Sequence, residues 1–159
     1  MTDPSQHPSL EDLPAWHRSL APLAFNRAWE LLDADNLTRE QEEEMLSSAF
    51  AQRYHWYVVG EPRNWAIADW QVSRVAAVLG YAELAARFGE RSLEIATEHG
   101  LDPFVVGFAH EAIARAAAEV DDIETFTEHL ELAKSMLAEI DDPEDRETLE
   151  ADLAEMSEI

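Results

Sequence analysis

The chain has no cysteine, which excludes disulfides, thiolate metal sites and cysteine nucleophiles. Glycine and proline are sparse, five and seven in 159 residues, and that argues against an all-β fold with its many tight turns. Cations are few: 11 Lys/Arg stand against 34 Asp/Glu, for a formal net charge of −23. A field of that sign repels nucleic-acid phosphates and anionic lipid surfaces, so neither nucleic acid nor membrane is an expected partner. No apolar run approaches the roughly 18 residues of a spanning helix. The opening MTDPSQHPSLEDLP lacks the basic-then-apolar order of a signal peptide. These absences lead to the expectation of a cytoplasmic protein. No Gly-rich phosphate loop, nucleophile elbow, HxxxH or HExxH is present, and no cofactor is expected.

What is present is an acidic protein of ordinary apolar content, 47%, long enough for one domain with a sizeable core. Residues 1–14 are rich in Pro and Ser and predict a flexible segment; residues 15–159 predict a single domain. Acid is unevenly spread. Residues 119–159 hold sixteen Asp/Glu and two Lys/Arg, the simplest role of which is a solvated, solubilising face. Against this background RYHWYVVGEPRNWAIADWQVSR, residues 53–74, is an aromatic and locally positive island. It carries Tyr54, Trp56, Tyr57, Trp65 and Trp70 with Arg53, Arg63 and Arg74, against only Glu61 and Asp69.

Apolar spacing and capping signals predict seven helices and an all-α fold. The first runs from about Ala21 to Ala34, with Pro22 in its first turn and Leu23, Phe25, Trp29 and Leu32 as apolar positions. The second opens at Thr38, whose spacing to Gln41 is that of a capping box, and ends at Val59. The third is capped at Asn64 or the residue before it and ends at Gly80; the fourth spans about Tyr81 to His99. Asp102-Pro103 opens the fifth, Asp121-Asp122 the sixth and Asp142-Pro143 the seventh, which fades near Met156. Short loops make neighbouring helices antiparallel, in a closed bundle or a stacked solenoid. An offset of 41 residues aligns helices three and four with five and six, placing Trp70 on Glu111, Arg74 on Arg115 and Leu79-Gly80 on Val120-Asp121.

The segment WQVSRVAAVLGYAELAARFGERSLEIATEHG resembles a tetratricopeptide repeat. Gly80 matches the turn, Ala85 the small contact residue of the second helix and Leu93 the large one. Ser73 and Gly89 depart from that pattern, as does Phe126 in the next hairpin. Over residues 20–156 the sequence also resembles a family of uncharacterised bacterial proteins with tetratricopeptide-like helices, through FNRAWELLD, YHW, VGEPRN, WQVSRV and AHEAIARA. The resemblance implies antiparallel hairpins stacked as a right-handed solenoid. It further implies a non-catalytic binding or scaffold module, with a peptide or protein partner in a groove lined by helices three and five. The groove residues it implies are Ile67, Trp70, Arg74, Phe108, Glu111 and Arg115.

The residues themselves leave several roles open. Trp70 and Arg74 are four apart and share a helix face with Ile67. An Arg on an apolar stripe must be paired or reach water. Arg74 either pairs internally with a carboxylate such as Glu111, or joins Arg115 in presenting two guanidinium forks to an acidic peptide segment or a free C-terminus of the partner. A metal site joining His55, Asp69 and His110, or a hydrolase built on Ser73 or Ser92 with a histidine, is the enzyme-class alternative. A third reading is a structural homo-oligomer with the aromatic island buried between subunits.

Overall fold

The computed structural model describes residues 9–157, and these form seven α-helices: α1 Leu13–Leu32, α2 Arg39–Val59, α3 Pro62–Val78, α4 Ala82–Glu98, α5 Pro103–Ala118, α6 Ile123–Met136 and α7 Pro143–Met156. A short 3-10 helix, Leu137–Glu139, links α6 to α7. Among the described residues there is no strand, and no helix is long and apolar enough to cross a membrane. Residues 1–8 of the expected flexible segment lie outside the described residues.

Packing follows sequence order. The hairpins α1/α2, α3/α4 and α5/α6 are the most extensive contacts, and α2 on α3 and α4 on α5 join them. The backbones of the odd-numbered helices touch in series, α1 on α3, α3 on α5 and α5 on α7, whereas those of α2, α4 and α6 stay apart and α2 meets α4 through side chains such as Phe50 on Phe88, with ring centroids 5.5 Å apart. The odd helices therefore form the inner layer. Its core includes Trp70 of α3, Phe108 and Ala112 of α5, and Leu149, Leu153 and Met156 of α7. A second cluster of Ala28, Leu31, Met45, Ala49, Val72, Val75 and Phe88 fills the space between α1, α2, α3 and α4.

The helix starts rest on side-chain caps. Thr38 and Gln41 form the expected capping box. Asp102, Asp122 and Asp142 each accept a backbone N–H from the first turn that follows. The 41-residue offset is visible in the backbone. Gly80 and Asp121 both sit in the left-handed region, at φ 76° and 56°. The bonds around them correspond, Tyr81 N–H to the Ala76 carbonyl and Asp122 N–H to the Ala117 carbonyl. Glycine adopts that geometry freely, whereas Asp121 is among the few other residue types that tolerate it.

The residues that break the repeat pattern have local causes. The Ser73 hydroxyl donates to the Ala85 carbonyl at 2.7 Å and the Ser92 hydroxyl to the Ala66 carbonyl at 2.8 Å, so two buried serines stitch α4 to α3. Gly89 lies against the α5 backbone: a Cβ there would stand 3.2 Å from the Ile113 nitrogen and 3.3 Å from the Ala112 carbonyl carbon. An aromatic at that position would hold α4 and α5 apart.

Two boundaries differ from the sequence expectation. Helix α1 begins at Leu13 rather than Ala21, with Pro14 near its start and Pro22 inside it. The early start lets His17 reach His55 of α2, with ring centroids 4.9 Å apart. Leu23, expected to face the core, is 64% exposed. Helix α3 begins at Pro62 after Glu61; Asn64, expected as the cap, instead accepts the Glu61 N–H through Oδ1 at 2.9 Å.

Candidate functional site

Three of the six expected groove residues, Ile67, Trp70 and Phe108, line one apolar cavity; the other three, Arg74, Glu111 and Arg115, form an ion cluster beside it. Trp70 belongs to both. Its ring faces the cavity while its indole N–H donates to Glu111 Oε2 at 3.0 Å. These two residues are the 41-residue counterparts of each other, now in direct contact.

Glu111 is fully buried. Its Oε1 receives Arg115 Nε at 2.7 Å from one turn along α5, and Arg74 Nη1 at 3.2 Å from α3. Arg74 Nη1 also lies 3.4 Å from Asp152 Oδ2 on α7. Burial raises the Asp152 carboxyl pKa from its ordinary value, against the pull of the Arg74 guanidinium. The two guanidiniums are thus engaged by the protein itself. A buried carboxylate with two guanidiniums on one oxygen and an indole N–H on the other fixes geometry more reliably than it adds stability, and here it sets the orientation of the Trp70 ring.

A second buried carboxylate is built on the same plan. Asp69, fully buried on α3, accepts Arg53 Nε at 2.5 Å on Oδ1 and the Tyr57 hydroxyl at 2.6 Å on Oδ2, with Arg91 Nε 3.4 Å from Oδ2. Arg53 stacks over the Tyr57 ring at 4.2 Å. Desolvation, reinforced by the bond to Asp69, raises the Tyr57 hydroxyl pKa above its ordinary value. Each carboxylate therefore has two arginines and one aromatic donor, and together they tie α2, α3, α4, α5 and α7 to each other.

The cavity has a volume of about 210 Å³ and an almost wholly apolar wall. Phe25 and Trp29 come from α1, Ile67 and Trp70 from α3, Phe104 and Phe108 from α5, and Thr148 from α7. The aromatic rings run in series: Phe25 to Trp29 at 6.4 Å, Trp29 to Trp70 at 5.7 Å, Trp70 to Phe108 at 5.1 Å and Phe108 to Phe104 at 4.9 Å. A shallower depression lined by Pro22, Phe25, Trp56, Asn64 and Ile67 adjoins it through the shared Phe25 and Ile67. Gly107 faces α7 at this wall: a Cβ there would lie 2.5 Å from Leu149 Cδ2, so the Leu149 side chain occupies the space that the glycine leaves.

The histidine and serine constellations are not brought together. His55 pairs with His17, Nδ1 to Nδ1 at 2.7 Å, and His110 with His129 at 2.9 Å, while Asp69 is engaged by its arginines and Tyr57. Among the described residues no group of three or more His, Cys, Asp or Glu is placed to hold a metal ion. Desolvation, and secondarily His129, pushes His110 down to about 4; the same causes, with His17 as neighbour, lower His55. Within each pair one ring Nδ1 donates to the other, in the direction that the tautomers set. Ser73 and Ser92 donate to backbone carbonyls of the α3/α4 crossing and have no histidine partner among the described residues.

Sequence reasoning did not reach Asp152, Asp69 as an ion centre, or Phe25, Trp29, Phe104 and Thr148 as cavity wall. Aromatic spacing on α1 and α5 carried a signal for Trp29 and Phe104. Asp152 had none, since it is one acid among many in α7. Comparison with protein-family models, with curated proteins and with solved structures finds no match to this protein.

Proposed function

We propose that the protein is a non-catalytic helical-repeat module, of tetratricopeptide-like stacking, that binds a peptide or protein partner across its odd-helix layer. In this reading an uncharged apolar side chain of the partner enters the cavity between α1, α3, α5 and α7. The observation that carries the proposal is the cavity itself, with aromatic residues from three helices around about 210 Å³ of apolar space. Concave, mostly apolar sites with few polar groups are the usual form of a binding pocket, and rigid aromatic walls suit a single anchoring residue. The matching turns at Gly80 and Asp121 support the repeat reading. Arg74 and Arg115 serve as internal struts for Trp70, so recognition rests on apolar fit rather than on an acidic segment of the partner.

Selection from a random peptide display library tests this. Wild-type protein enriches peptides that share a Phe, Leu or Trp, and these bind at least tenfold more weakly to Ile67→Trp, in which the added ring fills the cavity. Equal binding to both proteins, or no enrichment on the wild type, contradicts the proposal.

A further inference from the structure

Away from the cavity, the N-terminal half of α1 presents Leu13, Trp16, Leu20 and Leu23 to solvent, with Trp16 50% and Leu23 64% exposed. Their spacing of three, four and three residues is that of a heptad seam. On the neighbouring helix Tyr54 and Val58 are also exposed, and Tyr54 lies edge-on to His17 of α1 at 5.6 Å. Although the protein holds 34 Asp/Glu, none lies between residues 13 and 29 of α1 or between residues 45 and 60 of α2. These two acid-free stretches pack on each other.

We propose that this face is the contact between two copies of the protein, formed by antiparallel pairing of α1 with α1. The stripe is self-complementary. Leu13 and Leu23 stand five residues either side of Arg18, and Trp16 and Leu20 two either side. A two-fold axis passing at Arg18 sets Leu13 against the partner copy's Leu23 and Trp16 against its Leu20. Such an isologous contact closes at the dimer and leaves no seam for further growth. Charge selects the same face. Two molecules of net charge −23 repel over most of their surfaces, with a screening length of about 8 Å at physiological salt. Repulsion is least where acids are absent. The exposed apolar side chains of the face amount to on the order of 700 Å² per copy, close to the roughly 800 Å² per partner of standard interfaces. Like-charge repulsion between the two copies opposes this apolar contact, so a reversible, concentration-dependent dimer is expected.

Light scattering after size exclusion, on the full-length protein from about 1 to several hundred micromolar, reads the mass directly. The expected result is a monomer at the low end and a dimer at the high end. Trp16→Lys, and separately Leu23→Lys at the more exposed position, keep the helical circular dichroism and remain monomeric throughout. Because the wild-type protein has no cysteine, Leu13→Cys mixed with Leu23→Cys tests the register: the mixture cross-links under mild oxidation faster than either variant alone. A monomer at every concentration overturns the proposal, as does a dimer indifferent to both lysine substitutions. Preferential cross-linking of each variant to itself overturns the antiparallel register. A monomer whose Trp16 emission shifts only on adding phosphatidylcholine vesicles would make the face a lipid contact and overturn the dimer. None of these outcomes depends on the cavity.

Discussion

Glu111→Gln isolates what the buried ion cluster does. The substitution keeps size and one carbonyl oxygen but removes the charge that Arg74 and Arg115 share at 3.2 and 2.7 Å, and it points two N–H groups into a shell made of donors. Arg74 retains Asp152, whereas Arg115, 15% exposed, loses its only ion-pair partner among the described residues. Removing one member of a buried pair costs about 3–5 kcal/mol, because the surviving charge stays desolvated. With two guanidiniums on one carboxylate the upper half of that range is expected. It is a large share of a typical total of about 5–15 kcal/mol. For a protein of this size it lowers Tm by about 8–20 °C, at about 2–4 °C per kcal/mol. Urea unfolding at pH 7, followed by far-ultraviolet circular dichroism, measures it. The double variant Glu111→Gln/Arg115→Met removes the stranded charge together with its partner and recovers at least half of the loss. A cost under about 1 kcal/mol for Glu111→Gln, or strict additivity in the double variant, would refute the reasoning.

The His110–His129 pair makes stability pH-dependent. His110 sits at about 4 in the folded state against an ordinary 6.5, so the unfolded state takes up its proton first, and stability present above pH 6.5 is lost as pH falls to 4. The unscreened loss is about 3 kcal/mol, and roughly half of that remains after allowance for partial exposure. Denaturant midpoints measured from pH 7 to 4 decline less steeply in His110→Phe. Gly89→Ala is expected to destabilise although alanine favours a helix by about 1 kcal/mol. The new Cβ meets α5 backbone, which cannot yield, and overpacking costs about 1–3 kcal/mol. Thermal unfolding of this variant shows a lower Tm, whereas an increase would mean that α4 and α5 separate freely.

Much of the fold is legible in the sequence because its signals are local. Asp102-Pro103 and Asp142-Pro143 mark helix starts by their own chemistry, and Thr38 with Gln41 marks another. The start of α1 is less legible, since Pro22 reads as a first-turn residue yet lies inside the helix, where it removes one backbone bond and crowds the preceding turn. The pairing of Arg74 with Glu111 follows from the cost of an unpaired cation on an apolar face. The role of Asp152 does not, because it depends on how α7 crosses α5, and Gly107 permits that crossing without any pattern to mark it. The aromatic island proves to be several things. Trp70 and Ile67 wall the cavity, Arg53, Tyr57 and Asp69 form an ion centre, and Tyr54 faces solvent.

The central claim, that the space between α1, α3, α5 and α7 accepts an uncharged apolar group, is tested most directly by isothermal titration with n-butylbenzene. A dry apolar cavity of about 150 Å³ is enough to take up benzene, and this one is larger, about 210 Å³. Saturable one-to-one binding with a negative heat-capacity change is expected. Quenching or a shift of the Trp29 and Trp70 emission accompanies it, with a rise in Tm corresponding to about 2.7 kcal/mol at a hundredfold excess over Kd. All three disappear in Ile67→Trp. Heats that never saturate, or binding that survives in Ile67→Trp, would contradict it.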